Sequence, residues 1–331
     1  MARPRLLFLH TGGTLGMTAS SPGPLSPGHY DETVLPFVPG LAELAEIDGR
    51  VVCNLDSTDM TPPIWEELGT QIARAMDDYD GFVVLHGTDT MAWTAAALSF
   101  MLRNLPKPVV VTGSQRPIAM IRSDARSNLV HSTICATLPI PEVGVFFGSH
   151  LLRGNRARKM SIASYDAFQS PDHPPLVTMG VDVRLGPTLP TPAAPFHLET
   201  GFCSDVTVLT PFPGMGPEML HAAARAGARA ILLRGFGDGN LPRAGWPDAT
   251  RAVTRRGVSV VVTTQCAEGG VAPGRYANSA AMHDAGAVFA GDLTDEAATV
   301  KLMWLLGQGA GPAELQKQLL DPLAGECTPA L

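Results

Sequence analysis

Four short polar segments carry the residue types from which hydrolytic chemistry is built. They are Thr11-Gly12-Gly13-Thr14, Asp56-Ser57-Thr58-Asp59, His86-Gly87-Thr88-Asp89-Thr90 and Gly113-Ser114-Gln115. Hydroxyls predominate among them. A threonine hydroxyl is a weak nucleophile until a base takes its proton. A buried lysine near other charges can be such a base, because burial disfavours its charged form. The paired glycines would let backbone approach a ligand closely and would offer N–H groups to an anion or oxyanion. Other chemistries fail on spacing. There is no Gly-x-Ser-x-Gly elbow, and residues 11–14 are not followed by the Gly-Lys-Ser/Thr of a phosphate loop. The nine histidines show neither a His-Glu-x-x-His pair nor clustered ligand spacing, so no metal is expected. Taken alone, residues 11–14 form a tight turn more often than a catalytic loop. His10 and His86, just ahead of two segments, read as hydrogen-bonded structural histidines rather than bases. Asp124 and Asn128 read as residues that open and stabilise a helix.

What must position these segments is an alternation of strands and helices. Continuously apolar runs at 6–9, 51–54, 82–85, 109–112 and 143–147 predict strands covered on both faces. Helical patterns at 62–77, 91–104 and 123–138 lie between them. The result is a set of βαβ units and a mostly parallel sheet. Each polar segment directly follows a strand. Ligands of open parallel sheets bind beyond the carboxyl ends of the strands, so the four segments share one edge and outline a site for a small polar substrate. From Gly186 to Pro195 the chain becomes a Pro-rich extended stretch. Beyond it a second, smaller α/β pattern has strands at 206–209, 230–233, 258–263 and 287–290. The expected division is a catalytic α/β domain over 1–185, a linker over 186–204 and a C-terminal α/β domain over 205–331.

Composition excludes several classes of protein. Hydrophobic residues make up 45% and charged residues 17%, enough for a sizeable core and far from a disordered chain. The net charge of −7 argues against nucleic acid as a partner. No apolar stretch is long enough to span a membrane. Five widely spaced cysteines make no disulfide framework and read as buried thiols of a reducing compartment. The start of the chain lacks the pattern of a secretory leader, so a cytoplasmic location is expected.

The segments Thr11-Gly12-Gly13-Thr14-Leu15-Gly16-Met17, Asp56-Ser57-Thr58-Asp59-Met60-Thr61 and His86-Gly87-Thr88-Asp89-Thr90-Met91-Ala92 resemble the bacterial L-asparaginase family. Val111-Thr112-Gly113-Ser114-Gln115, Arg153-Gly154-Asn155-Arg156 with Lys159, and Tyr165-Asp166-Ala167-Phe168 extend the likeness toward its cytoplasmic, type I branch. The similarity covers residues 6 to 305. It implies a two-domain α/β fold, a homodimer or homotetramer, no cofactor, and hydrolysis of L-asparagine to L-aspartate and ammonia. By motif, Thr14 would be the nucleophile. Thr88, Asp89 and Lys159 would form the second catalytic group, with Lys159 neutral through burial and able to activate Thr88 or a water. Asp89 would also hold the substrate α-amino group. Ser57 and Thr58 would take the α-carboxylate, Ser114 would lie beside the side-chain amide, and backbone near Gly13 and Thr88 would supply the oxyanion donors.

The sequence departs from that family at two places. Type I relatives carry a lid tyrosine after a glycine, ten residues beyond the nucleophile, where this chain has Pro24. The nearest tyrosine is Tyr30. It is either the replacement or a surface residue whose part another group or a water takes. The branch can also carry an allosteric asparagine site, whose motifs here contain Arg234, Asn240 and Cys266. Arg158 stands where a threonine usually precedes the lysine, a bulky cation that would block or reshape that site. Two rival readings share the scaffold: a glutaminase-asparaginase of broader specificity and a non-catalytic amino-acid sensor. The tRNA-dependent amidotransferase subunit is discounted, since Thr14 lies too near Met1 for its extra N-terminal domain.

Overall fold

A computed structural model of the 331-residue chain describes residues 3–19, 25–27 and 37–329. It divides into two compact units, Met1–Thr200 and Gly201–Leu331.

The first unit begins with β1 (Arg5–Gly12), followed by a hairpin of β2 (Met17–Ala19) and β3 (Leu25–Pro27). A short helix, α1 (Leu41–Leu44), leads to β4 (Glu46–Leu55). Next come α2 (Pro62–Arg74), β5 (Gly81–Leu85), α3 (Met91–Met101), β6 (Leu102–Arg103) and β7 (Val109–Thr112). Then follow α4 (Ala125–Cys135), β8 (Val143–Phe147) and β9 (His150–Arg153). The small pair β10 (Arg158–Lys159) and β11 (Phe168–Gln169) precedes β12 (Val177–Met179), β13 (Val183–Leu185) and β14 (His197–Leu198).

The main sheet runs β13-β12-β9-β8-β7-β5-β1-β4. The strands from β8 to β4 are parallel, and β9, β12 and β13 are antiparallel additions. Leu6 to Leu9 of β1 and Phe82 to Leu85 of β5 are fully buried, as expected of central strands. β4 is longer than the apolar run at 51–54 and is mostly exposed, because it forms the sheet edge. The order reverses at β1, which has β4 on one side and β5 on the other. Such a reversal opens a crevice beyond the carboxyl ends of the strands.

The helices end earlier than their apolar patterns suggest. α2 starts on Pro62 and Pro63, which suit the first helical turn, and stops at Arg74. α3 is buried almost all round. It stops at Met101 because the chain then pairs Leu102 and Arg103 with β14 and turns through Asn104 at φ +54°.

The Pro-rich stretch is not a free linker. Leu189 N–H donates to Glu142 at 2.5 Å, Asn104 Nδ2 donates to the Pro195 carbonyl, and β14 closes on β6. It straps onto the first unit, and the division into units falls at Thr200.

The second unit is a four-stranded parallel sheet: β15 (Val206–Leu209), β16 (Ala230–Gly235), β17 (Ser259–Thr264) and β18 (Val288–Phe289), in sequence order. Around it lie α5 (Glu218–Arg225), α6 (Trp246–Thr254), α7 (Ala277–Asp284), α8 (Asp295–Gly307) and α9 (Pro312–Leu319). Ile231, Leu233, Val260, Val262 and Trp246 form its core. On α8, the fully buried Lys301 ammonium donates to Glu326 at 2.5 Å and to the carbonyls of Leu319 and Asp321.

Candidate active site

At the reversal of the sheet, four loops meet backbone to backbone, and glycines make this possible. A Cβ on Gly12 would lie 2.2 Å from the Leu55 carbonyl oxygen, and one on Gly13 would lie 2.4 Å from Gly87 N. A Cβ on Gly87 would strike Ser57, and one on Gly113 would lie 2.2 Å from the His86 carbonyl oxygen. Gly12 and Gly13 also have φ of +108° and +90°, which side-chain-bearing residues rarely adopt. Thr14, half-buried in the single turn after Gly13, and Thr88, buried after Gly87, therefore leave neighbouring loops whose backbones touch.

Thr88, Asp89 and Lys159 are in direct contact. Lys159 Nζ donates to Thr88 Oγ1 at 2.7 Å and to Asp89 Oδ1 at 2.6 Å. The Lys159 side chain is 17% exposed and that of Asp89 is 58% exposed, so the relay runs from the protein interior to open solvent. Its distances lie within the reach needed for proton transfer. Lys159 is held by β10, where it pairs with Phe168 of β11, and by Met160 N–H bonding to the Ala167 carbonyl.

On the other side of the crevice, Asp56 accepts from both the backbone N–H and the hydroxyl of Thr58 at 2.8 Å. These bonds pull its carboxyl below the usual aspartate range. The same turn leaves Thr58 exposed and Ser57 buried against Gly87. The Ser57 carbonyl accepts from Thr90 Oγ1 at 2.7 Å, which ties the second polar segment to the third. Ser114 is buried, and its hydroxyl is committed to the Arg116 carbonyl at 2.6 Å, leaving its backbone for other partners.

His86 is a structural residue. Burial pushes it down to about 4, so the ring is neutral. Its Nδ1–H faces the Gly87 carbonyl at 2.6 Å, and its Nε2 accepts from Thr94 Oγ1 at 2.8 Å. Thr94 in turn accepts from Trp65 Nε1–H at 3.0 Å. This chain of bonds ties the Gly87 carbonyl to the buried Thr94 and Trp65. Burial likewise lowers His10 to about 4, opposed by a hydrogen bond with Asn54.

Asp124 stands at the start of α4 and Asn128 lies within it, as expected, and both side chains also brace the site. Asp124 makes no side-chain cap on α4; its carboxylate accepts from Gln115 N–H and Arg116 N–H. Asn128, one turn on, donates to the Gly113 carbonyl and accepts from Gly148 N–H. A part for Gln115 was not read from the sequence either. Its Oε1 lies 3.5 Å from Thr88 Oγ1, and its Nε2 donates to the carbonyls of Ser161 and Ser164 in the loop after Lys159. The available signal was a pair of buried polar residues four apart at the start of a helix that faces a strand end.

Tyr30 and Pro24 lie outside the described residues. Arg234, Asn240 and Cys266 fall in the second unit, at the carboxyl ends of β16 and β17. The Arg234 guanidinium pairs with Asp295 at 2.8 Å and reaches Thr210 Oγ1 at 3.5 Å. Asn240 bridges back to Phe236 with its Oδ1 buried and unpartnered, and Cys266 is exposed.

Comparison with known proteins agrees with this geometry. Residues 5–190 match the family model described as Asparaginase, N-terminal, and residues 205–319 match the Glutaminase/Asparaginase C-terminal domain. The chain is 39% identical to L-asparaginase 1 of Escherichia coli strain K12 over an alignment of 339 residues, covering 99% of each. L-asparaginase I from Vibrio cholerae O1 biovar eltor superposes with a TM-score of 0.91 at 38% identity, over 99% of this chain and all of that one. The thermostable L-asparaginase from Thermococcus kodakarensis superposes with a TM-score of 0.92 at 35% identity, over 98% of this chain and 100% of that one. With both domain models matched and the similarity running its full length, the chain belongs to the asparaginase family.

Proposed function

We propose that this protein hydrolyses L-asparagine to L-aspartate and ammonia through a covalent intermediate on Thr14. The observation that carries this reading is the Thr88–Lys159–Asp89 relay beside the loop bearing Thr14. Thr14 Oγ1 attacks the side-chain amide carbon and its proton passes to the leaving nitrogen, which departs as ammonia. Thr88 and Lys159 then take a proton from a water that attacks the β-aspartyl ester, and that proton returns to Thr14 as aspartate is released. Two acyl transfers replace one hard hydrolysis. Backbone N–H groups near Gly13 and Thr88 face the developing oxyanion; losing one such donor costs about 3–4 kcal/mol. Asp89 binds the α-amino group, while Ser57 and Thr58 bind the α-carboxylate and Ser114 borders the amide.

Ammonia release from asparagine by the purified protein is the test. Thr14→Ala and Thr88→Ala are each expected to abolish turnover with the far-UV spectrum unchanged, and Thr88→Ala to accumulate an acyl-enzyme visible by mass spectrometry. Comparable hydrolysis by Thr14→Ala would sink the assignment.

Glutamine is a second reading, favoured by the Glutaminase/Asparaginase model matched by the second unit. The two substrates differ by one methylene, worth about 1–3 kcal/mol in such a pocket. The ratio of kcat/KM for the two amides decides it. A cytoplasmic location accords with five free cysteines, and cell fractionation tests it. Among the described residues no helix is long and apolar enough to cross a membrane. The enzyme acts as a homo-oligomer, as its family resemblance implies, which sedimentation tests. Arg234, Asn240 and Cys266 carry the motifs of a second asparagine site that Arg158 would block or reshape, and the shape of the asparagine saturation curve, sigmoidal or hyperbolic, decides whether that site acts.

A further inference from the structure

Lys159 rides on a hairpin whose own pairing is two residues deep, Arg158 opposite Gln169 and Lys159 opposite Phe168. So short a pair does not hold its place alone, and it takes its position from its base. The chain leaves β9 at Arg153, runs out through β10 and β11 and returns to β12, where Val177 stands opposite Leu151. Between that pairing and the hairpin, a side-chain contact joins the outgoing and returning segments. Arg153 Nη1 donates to His173 Nε2 at 2.9 Å, across 20 positions of sequence.

The chemistry of this contact admits one form of the ring. The buried Arg153 guanidinium donates through Nε to Glu142 Oε2 at 2.5 Å and through Nη2 to Glu142 Oε1 at 3.2 Å. The buried Glu142 also receives Leu189 N–H. His173 Nδ1 lies 2.7 Å from the Pro174 carbonyl oxygen. A guanidinium only donates and a carbonyl only accepts, so the ring between them is neutral and carries its hydrogen on Nδ1. A second proton could go only to Nε2, where it would set N–H against the N–H of a cation. Arg153 does not give up a proton and is held by Glu142, so the ring is the partner that moves.

The surrounding charges set when that happens. Burial and the Arg153 guanidinium hold the half-buried ring neutral below the usual histidine range. Arg156 adds to this, while the Pro174 carbonyl and the Glu142 carboxylate oppose it. Arg153 ends β9, Arg156 closes the turn after it, Glu142 precedes β8 and Asp172 adjoins His173 in the chain. The contact is therefore intact at neutral pH and is lost as pH falls through the lowered range.

We propose that the Arg153–His173 contact positions the Lys159 hairpin and that acid opens it, so that turnover falls reversibly when the His173 ring takes up a proton. This rests on the reading above in which Lys159 serves the relay. His173 acts through the hairpin and is a positioning residue. The loops bearing Ser57 and Thr58 belong to the parallel sheet, so opening lowers kcat more than it raises KM.

Ammonia release from asparagine across a pH series tests this, with wild type, His173→Gln and His173→Lys. Glutamine keeps a neutral acceptor near the place of Nε2 and does not titrate, whereas lysine is charged throughout. His173→Gln is expected to match wild type at about pH 8 and to exceed its kcat several-fold at about pH 5. His173→Lys is expected to lose about tenfold in kcat at about pH 8, with KM within about twofold of wild type. Wild-type activity lost in acid is expected to return on neutralisation. Far-UV circular dichroism checks folding, and if His173→Lys does not fold, the His173→Gln profile alone decides. A His173→Gln profile that superposes on that of wild type overturns the inference. So does a folded His173→Lys enzyme with wild-type kcat, or one whose loss is confined to KM. A Lys159→Met enzyme with wild-type kcat overturns instead the relay reading beneath it.

Discussion

Replacing Gly13 by alanine tests the contact on which the site depends. The new Cβ would fall 2.4 Å from Gly87 N and 2.5 Å from Gly87 Cα. Neither atom belongs to a flexible side chain that can move aside. The adjoining His86 is anchored by its N–H to the Thr112 carbonyl at 2.8 Å and by the ring bonds to Thr94 and Gly87. Gly13 itself sits at φ +90°. Backbone strain at such a position costs about 1–3 kcal/mol. Forcing the packed loops apart adds about 1–3 kcal/mol. In a unit of roughly 200 residues each kcal/mol lowers Tm by about 2–4 °C, so a fall of about 5–20 °C is expected. The loops that separate carry Thr14 and Thr88, and a misplacement of about 1 Å between reacting groups costs about a hundredfold in rate. Gly40→Ala is the control, since Gly40 has φ −66° and its added Cβ meets nothing within 4 Å. Differential scanning fluorimetry gives Tm, and ammonia release at saturating asparagine gives kcat. A Gly13→Ala enzyme with wild-type Tm and kcat would refute the reasoning, as would a Gly40→Ala enzyme that loses as much.

Three further changes follow from the same structure. Lys301→Met leaves the fully buried Glu326 carboxylate without its cation and is expected to cost about 3–5 kcal/mol in urea denaturation, whereas Lys301→Met/Glu326→Leu recovers much of that loss. His86 and His10 are lowered to about 4 in the folded chain, against 6.5 when unfolded. Their contribution to stability is complete above pH 6.5 and is lost as pH falls toward 4, because the unfolded chain takes up the protons first. Each adds a slope of about 1.4 kcal/mol per pH unit within that window; His86→Gln should reduce the measured slope by one such share, and an unchanged slope contradicts the assignment. Asp124→Ala strips the acceptor from Gln115 N–H and Arg116 N–H, at about 1–3 kcal/mol. It is expected to lower kcat more than it raises KM, because the loop it braces reaches Thr88 through Gln115.

The parallel part of the fold was legible because its strands are buried on both faces. Leu6 to Leu9, Phe82 to Leu85 and Val109 to Thr112 are continuous apolar runs followed at once by polar loops, and each is a strand in the structure. The antiparallel edge was not legible. β12 and β13 are three residues each, too short for a periodicity to show, and β13 is exposed throughout. The Pro-rich stretch misled for a related reason. Composition forecasts an extended chain, but the anchor is the carboxylate of Glu142, which lies 47 residues away in sequence and holds Leu189 only once the sheet has formed.

The same distinction divides the candidate site. The loops bearing Thr14, Ser57 and Thr88 could be placed at one edge because each follows a strand, and strand ends converge by topology alone. Lys159 follows no major strand; it rests on a two-residue strand and meets Thr88 across 71 positions of sequence. Its placement depends on Phe168 opposite it, on the Ala167 carbonyl, and on Gln115 holding the Ser161 and Ser164 carbonyls. None of these has a local pattern that predicts the contact, so only likeness to a known family could nominate Lys159. The groups expected to bind substrate are therefore set mainly by the parallel sheet. The proposed proton relay rests on a small appended hairpin that Gln115 couples to the strand ends, which makes changes in residues 158–169 the ones expected to slow turnover without unfolding the sheet.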